Sequence, residues 1–123
     1  MWRFLFIAFL IAHGGIHAAI WATPRSKDQN VAFEASHSWL LGNQRGLAMA
    51  LALVAAVLLV AAGIGLWADA GWWRLVTVAG LATSFGLMVL YFHPWFLFIQ
   101  AVNAGLIVGV LWLDWPTKSM VGA

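Results

Sequence analysis

His13 and His17 stand four residues apart in an otherwise apolar stretch near the start of a 123-residue chain. On a helix, side chains at that spacing share a face and lie roughly 6 Å apart. Imidazole donates and accepts hydrogen bonds, takes up protons near neutral pH and ligates transition metals. Gly14 and Gly15 lie between the two histidines and remove side-chain bulk, so another helix or a ligand can come close. Three chemistries suit this pair. The first is a structural network, with His13 and His17 bonded to Gln100 and Asn103. The second is a zinc, copper or iron site, in which Glu34 and His37, spaced i and i+3, join His13 and His17 as candidate ligands. The third is an apolar pocket for a quinone or lipid-like molecule, which needs only one or two hydrogen-bond partners. Haem fits less well, because two histidines on one helix cannot clasp its opposite faces. The second ligand would have to come from His93 or His37, and His93 sits at the wrong depth for His17 by roughly 7 Å. No cofactor is fixed by these residues.

The elements that must position these groups follow from composition. The chain is 64% hydrophobic and 8% charged, where soluble domains carry about 25% charged residues. Four separable apolar runs, at residues 2–22, 47–67, 72–92 and 95–113, each approach the roughly 20 residues that cross a bilayer as a helix. The expected fold is therefore all-α: one integral membrane domain over residues 1–123, a four-helix bundle running up, down, up, down. The first run also has the look of a signal peptide, but it is too long for a typical signal core and reads as a retained span. Thr23-Pro24 ends it, since the residue before proline avoids the helical region. In the first loop, Val31, Ala35 and Trp39 recur every four residues. They suit a short interfacial helix, or alternatively an early start of the second span. His93-Pro94 makes the third connection very short. The nine tryptophans all fall at or near predicted ends, as expected for interfacial belts.

Within the spans, Gln100 and Asn103 descend from the same surface as His17 and His13, at matching depths of roughly 7 and 12 Å. His93 lies at that surface, and Glu34 and His37 lie in the loop above it. His13, His17, Gln100, Asn103 and His93 are thus the candidate ligand-binding residues. Thr77, Thr83 and Ser84 in the third span are read as bonding back to their own helix. Gly105 and Gly109 form a close-packing pattern on the fourth. No internal repeat is legible beyond an echo of Phe4-Leu5-Phe6-Ile7 in Phe96-Leu97-Phe98-Ile99.

Several function classes fall away. There is no cysteine, which excludes disulfides and thiol chemistry. A net charge of +2 without any Lys/Arg-rich tract gives no nucleic-acid partner. No Asp, Glu, Lys or Arg lies deep in a span, where proton-coupled pumps place such a group. No nucleophile with a base and no phosphate loop is present, so catalysis is not expected. The expected partners are the lipid bilayer and other membrane chains or further copies of this one. The expected role is association, as accessory subunit or homo-oligomer. The alternatives are binding of a small ligand or metal in the histidine-lined region and an oligomeric channel or transporter. Arg3, Arg74 and Lys118 on the terminal side nearly balance Arg25, Lys27 and Arg45 on the loop side. The expectation is a multi-pass protein with cytoplasmic termini.

Overall fold

A computed structural model describes residues 1–22, 37–92 and 94–122, and for Trp21, Ala22, His37, Asn43 and Trp95 the backbone alone. The described chain is helical apart from one two-residue bridge. Helix α1 (Trp2–His17) continues into a π-helical stretch at Ala18–Ala22. Strands β1 (His37–Ser38) and β2 (Gly42–Asn43) pair antiparallel, with His37 opposite Asn43 and Ser38 opposite Gly42. Then come α2 (Arg45–Trp67), α3 (Trp73–Leu90), a 3₁₀ turn at Pro94–Phe96, α4 (Leu97–Trp112) and the short α5 (Lys118–Val121).

Three helices are long and apolar enough to cross a membrane: Trp2–Ile20, Arg45–Trp67 and Trp73–Leu90, with mean hydropathies of 1.6, 2.8 and 1.5. Helix α4 is equally apolar but has 16 residues, because the chain leaves Pro94 through a 3₁₀ turn before the α-helix begins. Helix α2 starts at Arg45, two residues before the expected boundary, and so takes in Gly46. The interfacial helix expected over residues 31–41 is corrected where it is described. His37–Asn43 forms the bridge and its turn, while residues 31–36 lie outside the described chain. The cause is local. Gly42 adopts φ +73°, a left-handed conformation that reverses the chain and that glycine takes without steric cost. The Ser38 hydroxyl accepts the amides of Leu40 and Leu41, closing the turn.

This turn closes one end of the bundle. Ser38 Oγ donates to the Leu90 carbonyl (2.5 Å) and Trp39 Nε1 to the Val89 carbonyl (2.6 Å). These are carbonyls that the last turn of α3 cannot satisfy internally. Tyr91 reaches across to the Gln44 carbonyl (2.7 Å) at the start of α2.

Arginines close the other end. Arg3 Nη2 donates to the carbonyls of Leu66 and Trp67, both at 2.7 Å, and Nη1 pairs with Asp69 at 2.8 Å. Arg74 Nη2 donates to the Pro116 carbonyl at 2.6 Å, and Nη1 pairs with Asp114 at 3.4 Å. The parallel between the two clamps extends into the sequence. Trp2-Arg3 opens α1 and Trp73-Arg74 opens α3. Leu66-Trp67-Ala68-Asp69 closes α2 and Leu111-Trp112-Leu113-Asp114 closes α4. Asp69 and Asp114 both sit at positive φ, +55° and +49°. The α1–α2 and α3–α4 hairpins are thus built alike, a repeat hidden in the sequence by unequal hairpin lengths. Replacing Arg3 with alanine strips both carbonyls and Asp69 of their partner. We expect a loss of about 1–2 kcal/mol, charged hydrogen bonds discounted for partial exposure. Thermal unfolding in mild detergent reads it. Arg3→Lys restores only part, because an ammonium does not span the same fork of acceptors.

Small residues set the helix spacing. A Cβ on Gly14 would meet the Ala56 carbonyl oxygen at 2.9 Å, so α1 lies directly on the α2 backbone there. The expected Gly105/Gly109 contact is different. Gly105 faces open space and Gly109 faces the Trp115 ring, so within this chain neither brings two helices together.

Two apolar clusters fill the interior. Toward the termini lie Phe6, Ile7, Leu10, Leu59, Ala62, Leu66, Trp73, Leu81 and, from α5, Val121. Toward the hairpin turn lie Ala48, Ala52, Leu87, Met88, Tyr91 and Phe96. On α2 and α3 a gap separates the two sets, and buried polar side chains from α1, α3 and α4 lie at its level.

Candidate functional site: a buried polar layer between two apolar cores

The gap is filled by His13 and His17 from α1, Ser84 from α3 and Asn103 from α4, with exposures of 6%, 1%, 0% and 0%. Helix α2 faces this level with Ala55 and Ala56, too small to intrude. The layer lies near mid-height of the helices, buried among side chains, where polar groups are ordinarily hydrogen-bonded.

The bonds have a direction. His17 Nδ1 lies 2.8 Å from the His13 carbonyl, which can only accept, so Nδ1 carries the proton. In the neutral ring Nε2 is then the acceptor, and it takes the Ser84 hydroxyl at 2.7 Å. Ser84 in turn accepts from Asn103 Nδ2 at 2.8 Å. Amide, hydroxyl and imidazole form one chain across α4, α3 and α1. The rings of His13 and His17 are 5.0 Å apart and tilted by 34°.

Two atoms are left over. The Asn103 side chain interacts with the His13 ring, but not in hydrogen-bond geometry: among the described residues His13 Nε2 and Asn103 Oδ1 have no well-formed hydrogen bond. An unpaired polar group held away from water costs about 1–3 kcal/mol.

Set against expectation, the structure brings His13, His17 and Asn103 together. It does so through Ser84, which sequence reasoning passed over as a residue bonding its own helix. Thr77 and Thr83 do bond back, to the carbonyls of Trp73 and Ala79 at 2.8 Å. Ser84 differs only in that its face of α3 points at α1 and α4. Its place in the gap between Leu81 and Leu87 is the one sequence signal that could have singled it out. Gln100 stands apart from the layer. Its Nε2 donates to the Phe85 carbonyl at 3.3 Å, and it lines a shallow groove with Trp39, Val89, Phe92 and Leu97. His93 and Glu34 lie outside the described residues, as does the side chain of His37. Among the described residues no three His, Asp or Glu side chains converge as metal ligands. Both ring nitrogens of His17 already have protein partners.

An aromatic file links the layer to the terminal end. Phe9 lies 5.4 Å from His13 and 6.2 Å from Phe6, and Phe6 meets Trp115 edge-on at 5.8 Å. Beside it, Trp2, Leu5, Phe6, Phe9, Trp115, Pro116 and Met120 line a cleft of about 140 Å³.

Compared with known proteins, the chain matches no family model, no curated protein and no solved structure.

Proposed function

We propose that this chain is a four-span membrane protein, running up, down, up, down, that binds a small hydrogen-bonding molecule at the polar layer and performs no catalysis of its own. The observation that carries the reading is the pair of atoms His13 Nε2 and Asn103 Oδ1, which have no well-formed hydrogen bond among the described residues and are set between two apolar cores in residues that are 6% and 0% exposed. Buried polar atoms are ordinarily paired, and a bound molecule would pair both. Arg3, Arg74 and Lys118 mark the terminal side, which we assign to the cytoplasm. A reporter fused to the carboxyl terminus tests that assignment.

The binding reading is tested by extracting protein purified in mild detergent with organic solvent and analysing the extract by mass spectrometry. A small molecule is expected at about one per chain from the native sequence, and absent or strongly depleted in Asn103→Leu. If both preparations release only bulk lipid, the reading fails.

A second reading, association with another membrane chain or a second copy, has its own observation. Gly15, Ala18, Ala56, Val57, Val60, Ala61 and Ile64 line a wholly apolar groove of about 410 Å³ along α1 and α2. Small residues of this kind let helices approach closely. Ala61→Trp fills the groove and is expected to shift a self-associated species to monomer in size-exclusion chromatography with light scattering. An unchanged mass counts against it.

A further inference from the structure

Helix α4 is the least covered of the four long helices. It has 16 residues and buries only Asn103, Gly109 and Val110, whereas α1, of the same length, buries six. Its outward arc carries Phe98, Ala101, Gly105, Val108 and Trp112. These recur at i, i+3, i+7, i+10 and i+14 and therefore share one face. Phe98 and Trp112, at the two ends, are 75% and 72% exposed. Between them Ala101 and Gly105 are exposed too, and a Cβ on Gly105 would meet nothing within 4 Å. Leu97 and Leu111 flank the stripe at 58% and 53%. A large aromatic side chain offers about 150–250 Å² when fully covered. The face as a whole thus presents on the order of 700 Å², close to the roughly 800 Å² that each partner buries in a standard dimer. Area alone does not join helices in lipid, which is as apolar as they are. The middle of the face supplies what area does not, because small side chains let two backbones approach closely. Length adds a second reason. The α-helical part of α4 spans about 24 Å, short of the roughly 30 Å hydrocarbon core, and a short span is accommodated in part by oligomerising.

We propose that α4 pairs with α4 of a second copy of this chain about a two-fold axis along the membrane normal, the helices crossing at Ala101 and Gly105 with Phe98 and Trp112 on either side. Both copies insert in the same sense, so the two helices run parallel and one patch meets itself. The open Cβ position of Gly105 then faces the partner's backbone. The proposal rests on the four-span and association readings above. It names the partner and places the contact on α4, a face separate from the α1–α2 groove.

The chain has no cysteine, so single cysteines report contacts one position at a time. The test uses the full chain in membranes under a mild oxidant, with disulfide-linked dimer read on a non-reducing gel. Ala101→Cys is expected to cross-link at least about tenfold faster than Ala82→Cys, because a disulfide forms only where two Cα atoms come within about 7 Å. Ala82 is exposed on α3 and serves as the control. Adding Gly105→Leu to Ala101→Cys is expected to abolish the cross-link, since the new side chain fills the space the partner needs. Nothing in its own chain lies against that position, so the double variant should keep the native helical content by circular dichroism. Cross-linking of Ala101→Cys no faster than Ala82→Cys reports random collision, or a face that lipid alone covers, and overturns the proposal. A cross-link that survives Gly105→Leu also overturns it. Val57→Cys probes the α1–α2 groove. If Val57→Cys cross-links and Ala101→Cys does not, this proposal fails and association at the groove stands. If neither cross-links, both fall. The carboxyl-terminal reporter checks the four-span reading separately.

Discussion

Replacing Ser84 with alanine is expected to destabilise the bundle by about 1–3 kcal/mol for each polar atom it orphans. The hydroxyl serves His17 Nε2 at 2.7 Å and Asn103 Nδ2 at 2.8 Å, so one deleted oxygen takes a partner from two buried groups. Measured hydrogen bonds in membranes average nearer 0.6 kcal/mol because the unfolded state also finds partners, which places the expected total toward the lower end. Thermal unfolding in detergent measures the difference. The informative comparison is the triple variant Ser84→Ala, His17→Leu, Asn103→Leu. Removing all partners together with apolar groups of similar shape is close to neutral for a purely structural network. We therefore expect the triple variant to be more stable than Ser84→Ala alone and to have lost the bound molecule. A triple variant less stable than the single one would mean that the layer contributes packing as well as polar pairing.

The second large effect is expected at Gly14. Its Cβ position is already 2.9 Å from the Ala56 carbonyl oxygen and 3.3 Å from both Ala56 Cα and Leu59 Cβ. These are mainly backbone atoms, which cannot swing aside. Gly14→Ala must push α1 off α2 and is expected to cost about 1–3 kcal/mol, the usual range for overpacking a tight core. Gly14→Leu is expected to prevent native packing and to give aggregated or protease-sensitive protein. Gly15→Ala is the control, since nothing lies within 4 Å of its Cβ position, and its unfolding should match the native chain. If Gly14→Ala and Gly15→Ala unfold alike, the close approach of α1 and α2 is wrong. Because Gly14 sits beside His13, the same displacement would also pull the polar layer apart, so loss of stability and loss of ligand should go together.

The two arginine clamps and the two glycine environments illustrate a common feature. Where the helices contact lipid-like surroundings on the outside, burial of apolar surface does not drive them together. Close backbone packing, shared polar atoms and capped helix ends must carry the specificity. In this chain each of these is held by very few residues: Gly14 for approach, Ser84 for polar pairing, Arg3 and Arg74 for closure at one end, Ser38 and Trp39 at the other.

The amino-acid sequence by itself determined the helical class and three of the long segments to within a few residues, because about twenty consecutive apolar residues have few other ways to satisfy their backbone. It also marked His13, His17 and Asn103, since a polar side chain in such a segment is conspicuous whatever the helix touches. Only the tertiary structure decided the rest. Helical rotation put Ser84 toward the histidines and Gln100 away from them, a difference that depth along the helix cannot resolve. The bridge at His37–Asn43 replaced an expected helix because Ser38, Trp39 and Gly42 find their partners in the turn and at the end of α3. The likeness of the two hairpins emerged only when Arg3 met Asp69 and Arg74 met Asp114, pairs separated by unequal lengths of chain. Depth is a property of one helix and is written along the sequence. Azimuth and pairing belong to two helices at once, and folding alone brings them together.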